Sequence, residues 1–194
     1  MSQHEGASAN SSPDDGAAPP EGLHSTIQAY LPELIYGAND GLVTTLVVVA
    51  GVTGASLSST VVLILGFASL LGDGFSMGAS EYLSSRSTPR EEDRPTPGEA
   101  ARGGWMTYLG FVIAGFVPLL AYLVPWFEGF MFEAALGITC VTLFVIGSAR
   151  AYFTDRHWYR AGIEMLVVGG LAAAAAYGIG ALGAYLTGGQ GAMV

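Results

Sequence analysis

Asp40, Asp73, Met77 and Glu81 are the side chains of this sequence best suited to hold a cation, and all four lie in stretches apolar enough to sit in lipid. Asp40 falls within IYGANDGLVTTLVVVAGVTGA, beside Asn39 and bracketed by Gly37 and Gly41. Asp73, Met77 and Glu81 fall within LLGDGFSMGASEYLSSRS. A charged residue inside a membrane span costs at least about 2.5 kcal/mol, so each is a functional candidate by default. Carboxylate oxygens bind divalent cations generally, and a thioether adds preference for softer, later ions over Mg2+ or Ca2+. The i, i+4, i+8 spacing of Asp73, Met77 and Glu81 puts them on one helical stripe, with Ser76 and Ser80 adjacent. A methionine on such a stripe is commonly packing; its place between two carboxylates makes it a candidate ligand. Asn39 and Glu164 are secondary candidates. Glu133 begins a helix, where a carboxylate is ordinary. There is no Cys/His cluster, so a closed structural zinc site is not expected.

The elements that must position these groups are long apolar runs. The 194 residues are 51% hydrophobic and 12% charged, with a mean hydropathy of +0.47. Soluble domains are about 25% charged. Five runs are long enough to cross a bilayer, at 34–55, 58–84, 105–125, 130–149 and 162–186. Backbone groups in lipid must be satisfied internally, and runs this continuous read as helices rather than barrel strands. The expected fold is therefore an all-α integral membrane protein with five transmembrane helices in one domain, 34–187. Asn39 or Asp40 could instead cap a helix beginning at Gly41. That would leave only about fourteen apolar residues, too few to span, so the first helix is expected to start near Leu34. Asp40 then lies about 9 Å inside it, and Met77 about 10 Å inside the second helix counted from Ser84. The two counts place them level.

Flanking segments are of another kind. Residues 1–22 are Ser, Gly, Ala, Pro and acid, unable to bury enough surface to order themselves. They lack the basic start and apolar core of a signal peptide. Residues 23–33 read as an interfacial helix ending near Pro32, and 188–194 as a C-terminal tail. The single cysteine, Cys140, permits no intrachain disulfide and reads as a small core residue.

The net charge of −9 and the absence of lysine fit a salt-adapted prokaryote. Arg86, Arg90, Arg94 and Arg102 lie in or beside the second connection, and Arg150, Arg156 and Arg160 in or beside the fourth. Five helices bring those connections to one side, and the positive-inside rule makes it cytoplasmic, with the N-terminus inside and the C-terminus outside. Gly37/Gly41 and Gly74/Gly78 form two G-x-x-x-G pairs that permit close helix packing. So few helices enclose a polar path more readily by dimerising across the first two. No phosphate loop of the G-x-x-x-x-G-K-[ST] type is present, which argues against ATP-driven pumping.

YGANDGLVTTLVVVAGVTGA followed by DGFSMGASEYLSSRS resembles the vacuolar iron transporter family, also called VIT/CCC1 or nodulin-21-like. GFVIAGFVPLLAYL and RAGIEMLVVGGLAAAAAYGIG resemble its third and fifth helices. The likeness covers about residues 34–186. It implies a five-helix homodimer that exports Fe2+, and often Mn2+, from the cytosol while protons move inward. The implied path runs along the dimer interface, with Asp40 matching the first-helix aspartate, Met77 the second-helix methionine, and Asp73 and Glu81 its flanking acids. One departure is clear. Relatives with a cytosolic metal-collecting domain insert a long Glu-rich segment between helices two and three, whereas here that connection is only about 85–104. Its Glu91, Glu92, Asp93 and Glu99 stand among three prolines and four arginines, which reads as a solvated loop.

The expectation is thus a secondary transporter, not an enzyme, with no permanent cofactor and Fe2+ or Mn2+ as cargo. Its partners are the bilayer, a second copy, metal ions and protons, with no nucleic acid. Its location is the cell membrane in a prokaryote or the vacuolar membrane in a eukaryote. Two alternatives remain. A proton-coupled exporter of small organic cations would need an aromatic-lined cavity near the acid, and a non-transporting scaffold would use the buried acids only to pair helices.

Overall fold

A computed structural model describes residues 29–87, 94–151 and 157–188 of the protein. The tail 1–22, the stretch 23–28, the acids Glu91, Glu92 and Asp93, and residues 189–194 lie outside the described residues. The described residues form five long helices: α1 Leu31–Gly54, α2 Ser59–Arg86, α3 Pro97–Leu123, α4 Met131–Arg150 and α5 Trp158–Leu186. Each is long and apolar enough to cross a membrane, and no strand occurs among the described residues.

The helix boundaries follow local chemistry. Pro32 occupies the first turn of α1, where its missing N–H removes no hydrogen bond, so the proline opens this helix. Helix α3 begins at Pro97, well before the expected start at 105. The cause is a capping box in T-P-G-E: the Thr96 hydroxyl accepts from the Glu99 N–H at 3.3 Å, and the Glu99 carboxylate accepts from the Thr96 N–H at 2.8 Å. Two orphan donors are satisfied together, so α3 starts in the polar segment rather than at the apolar boundary. Arg102, expected in a loop, consequently lies on the helix. Pro118 lies inside α3 and is fully buried. A short 3-10 turn, Pro125–Phe127, leads into α4.

Contacts between particular residues set the helix directions. Gly37 and Gly41 of α1 lie against Thr107 and Phe111 of α3, so α1 and α3 run parallel. Gly78, near the end of α2, lies against Gly104, near the start of α3, so those two are antiparallel. Val43 of α1 meets Gly169 of α5 and, further along both helices, Gly54 meets Tyr177, a parallel pair, while Gly147 near the end of α4 meets Ala161 and Met165 near the start of α5, an antiparallel one. The starts of α1, α3 and α5 and the ends of α2 and α4 therefore share one end of the bundle. All the described arginines, Arg86, Arg94, Arg102, Arg150 and Arg160, belong to that end, and Glu128 and Glu133 to the other.

Helix α1 is the most buried of the five and α5 the least. The core forms two clusters around α1. One joins Val49, Val62, Leu70, Phe111 and Leu119 of α1, α2 and α3; the other joins Leu42, Leu46, Ala114, Leu143 and Ala173 of α1, α3, α4 and α5. The hydroxyls of Thr107 and Thr139 would be costly in this core, but each donates back to the carbonyl four residues earlier, at 3.1 and 2.6 Å.

Candidate metal site

The two G-x-x-x-G pairs decide where the polar residues point. A methyl on Gly37 or Gly41 would drive into the backbone carbonyls of Thr107 or Phe111, and one on Gly78 would lie 2.7 Å from the Gly104 carbonyl oxygen. Both pairs therefore seat their helices on α3 of the same chain. With its glycines turned to α3, α1 carries Asp40 on another face, exposed on the single chain beside exposed Tyr36. On α2, buried Gly74 and Gly78 face α3, while Asp73, Phe75, Ser76 and Ser80 are exposed.

The Asp73 carboxylate of α2 lies within electrostatic range of Asp40 of α1. Their levels agree through a shared neighbour, since Gly41 rests on the Phe111 backbone and Gly74 on its ring. The α2 residue at the height of Asp40 is thus Asp73, and Met77 lies one turn nearer the arginine-rich end. Counting from helix ends gave Met77 instead, because such a count ignores how α1 and α2 are seated on α3. The Ser69 hydroxyl donates to the Asp73 carboxylate, holding it in place along α2. Met77 is half-buried and packs against the α1–α2–α3 cluster. Glu81 is half-buried two turns beyond Asp73, near the arginine-rich end.

On its other side Asp40 opens onto a cleft of about 470 Å³ between α1, the end of α4 and the start of α5. Asn39, Tyr36, Val43, Arg150, Met165 and Val168 are among its walls. Asn39 is only 7% exposed, and its Oδ1 has no hydrogen-bond partner among the described residues. The Arg150 guanidinium lies over the Met165 sulfur at 4.0 Å. Glu164, the expected α5 candidate, is exposed and is not among the residues lining this cleft; its neighbour Met165 is. Neither Met165 nor Arg150 stood out in the sequence, because nothing in the local spacing of α5 announces that it crosses α1 at Asp40. Among the described residues, no three His, Cys, Asp or Glu side chains gather into a group able to hold a metal ion. A metal held by Asp40 and Asp73 would draw its further ligands from other residue types or from another copy.

The VIT family pattern matches residues 31–96 and 88–181, nearly all of the helical bundle. The chain belongs to the VIT family. Its match is in two pieces that meet at the α2–α3 connection. Vacuolar iron transporter 1 of Eucalyptus grandis is 23% identical over 217 aligned positions, covering 80% of this chain and 87% of that protein. The vacuolar iron transporter of Toxoplasma gondii is 24% identical, covering 81% of this chain and 76% of that one. Vacuolar iron transporter homolog 1 of Oryza sativa subsp. japonica is 29% identical over 198 positions, covering 90% and 82%. The Eucalyptus alignment has more positions than this VIT-family chain has residues, so that relative carries segments with no counterpart here. These relatives are named as transporters, not enzymes.

Proposed function

We propose that the protein is a secondary transporter that exports divalent transition-metal ions, Fe2+ or Mn2+, from the cytosol in exchange for protons. The observation that supports this reading is the placement of Asp40 of α1 and Asp73 of α2 at one height within the spans of a VIT-family chain, where the Asp73 charge acts on Asp40. Neighbouring carboxylates within a span are expected to favour a bound cation or proton over two free charges. Metal binds the deprotonated carboxylates and expels their protons, so loading from one side and protonation from the other alternate at one pair of groups. Glu81, nearer the arginine-rich end, lies on the way in, and Met77 offers sulfur to a soft ion passing the pair. The arginine-rich end faces the cytosol by the positive-inside rule, which puts the N-terminus inside and the C-terminus outside.

A single copy leaves Asp73, Ser76 and Ser80 on an outward face among exposed Leu71, Phe75 and Leu83. Hydrocarbon would make that face costly. A second copy laid across α1 and α2 covers it and supplies the missing ligands, in keeping with the homodimer that the family resemblance implies. The connection after α2 is short, and metal selection then rests on the membrane residues alone.

The organic-cation alternative needs an aromatic cavity beside an acid. An aromatic groove does exist between α2 and α3, walled by Phe75, Tyr82, Trp105 and Tyr108, but no carboxylate is among its lining. That observation favours the metal. The deciding experiment is uptake of Fe2+ and Mn2+ into inverted vesicles under an imposed pH gradient. Uptake that the gradient drives, and that Asp40→Ala and Asp73→Ala abolish, is expected; gradient-independent uptake, or full rates in both variants, would refute the reading.

A further inference from the structure

The groove between α2 and α3 owes its shape to small residues flanked by large ones. Gly78 and Gly104 bring the helices together, since a methyl on Gly78 would lie 2.7 Å from the Gly104 carbonyl oxygen, and Ala79 and Ala101 add little bulk beside them. Phe75, Tyr82, Trp105 and Tyr108 form the walls, with Trp105 and Tyr108 edge to face at 5.6 Å between ring centroids. Phe75 and Trp105 are largely exposed, at 71% and 63%. From Phe75 to Tyr82 the groove runs about 10 Å along α2. Its volume is about 200 Å³. A pocket enclosing a whole small molecule has roughly 300–1,000 Å³, so this one suits a section of a long apolar chain.

One end of the groove is charged. Arg86 lies one turn beyond Tyr82, and its guanidinium donates to the Pro95 carbonyl at 2.9 Å, which carries it across to the start of α3. Arg102 is exposed and lies one turn before Trp105. The neighbouring acid, Glu99, accepts from both the N–H and the hydroxyl of Thr96, at 2.8 and 2.9 Å, and is held in the cap. An apolar slot ending at two guanidinium groups complements a molecule with an apolar chain and an anionic head, and the arginine fork matches phosphate. Tryptophan and tyrosine favour the same boundary between hydrocarbon and headgroups. We infer that this groove binds an anionic phospholipid, with an acyl chain between Phe75, Tyr82, Trp105 and Tyr108 and the phosphate at Arg86 and Arg102. Basic pockets between membrane helices recognise lipid heads in this way. The inference goes beyond metal transport and stands whichever ion is carried. Asp73, Ser76 and Ser80 are not among the groove's walls, so the lipid and a second copy use separate parts of α2.

The test is quenching of Trp105 fluorescence by lipids brominated on their acyl chains. Trp126→Phe with Trp158→Phe leaves Trp105 as the sole tryptophan of the full-length protein, reconstituted at low salt into phosphatidylcholine vesicles. Brominated phosphatidylglycerol is expected to quench at a mole fraction at least about fivefold lower than brominated phosphatidylcholine, the factor one arginine near the surface supplies. Arg86→Gln with Arg102→Gln should abolish the difference. A protein keeping only Trp126, at the opposite end of the bundle, should show no preference. Equal quenching of Trp105 by the two lipids, or a preference that survives loss of both arginines, would overturn the inference. Quenching by neither would overturn it too, by showing that a second copy covers the groove. Mass spectrometry of the wild-type protein released from mixed vesicles serves if a variant fails to fold. Retained phosphatidylglycerol above its bulk share is expected, and retention at the bulk share would refute the site.

Discussion

Gly41 of α1 rests directly on Phe111 of α3, so closely that a methyl group there would meet the carbonyl oxygen, the carbonyl carbon and, at 2.9 Å, the Cα of Phe111. Backbone cannot rotate away as a side chain can, so only hydrogen fits. This contact turns Asp40, one residue earlier, away from α3 and into the position from which it meets Asp73 and the α5 cleft.

Gly41→Ala is therefore expected to force α1 and α3 apart and destabilise the fold by about 1–3 kcal/mol, the usual cost of overpacking. Thermal unfolding of the detergent-solubilised protein measures it. Gly137→Ala on α4 is the matched control, because its position opens onto free space away from α1 and α2, and it should leave the midpoint nearly unchanged.

Asp40 and Asp73 act on one ion, so their losses should not add. Asp40→Asn and Asp73→Asn are each expected to cut Fe2+ or Mn2+ transport at least about tenfold, and the double variant hardly more than the worse single one. Independent, multiplicative losses in a double-mutant cycle would show two separate sites.

The capping box at the start of α3 is structural. Thr96→Ala removes the hydroxyl that accepts from Glu99 and should lower stability by about 1 kcal/mol. Transport per folded molecule should be unchanged, as measured by normalising vesicle uptake to properly folded protein. A loss of transport without a loss of stability would assign this segment a part in the metal path.

If a second copy covers the outward face of α2, cysteines placed there should cross-link. Ser76→Cys in a Cys140→Ser background is expected to give a disulfide-linked dimer in membranes under mild oxidation, read on a non-reducing gel. Thr107→Cys, at a buried position packed inside one chain, should not. A Ser76→Cys protein that stays monomeric would argue that another partner, or lipid, meets this face.

Thioether participation predicts an order of competition. Excess Mg2+ should inhibit Mn2+ transport weakly, and Met77→Leu should bring the two ions closer together. Equal inhibition by Mg2+ in the wild type would remove sulfur from the account.

Composition and the spacing of apolar runs determined that this chain makes five membrane-spanning helices, because a span requires about 20 apolar residues whatever its neighbours do. They also singled out Asp40 and Asp73, since a carboxylate in such a run stands out without any knowledge of its partners. The T-P-G-E capping box was legible too, but hydropathy ends a helix where the apolar residues end, whereas hydrogen bonding ends it where its caps are. What lay beyond local reading was the pairing across helices. Glycine pairs mark a close approach without saying to which helix, and only the bundle shows that both turn to α3. Which residues then face Asp40 depends on the relative heights and crossings of helices far apart in sequence. Counting along each helix pointed to Met77, while packing around Phe111 brings Asp73 level. Residue chemistry is local and can be read from the chain; coordination depends on distances between helices, which packing alone decides.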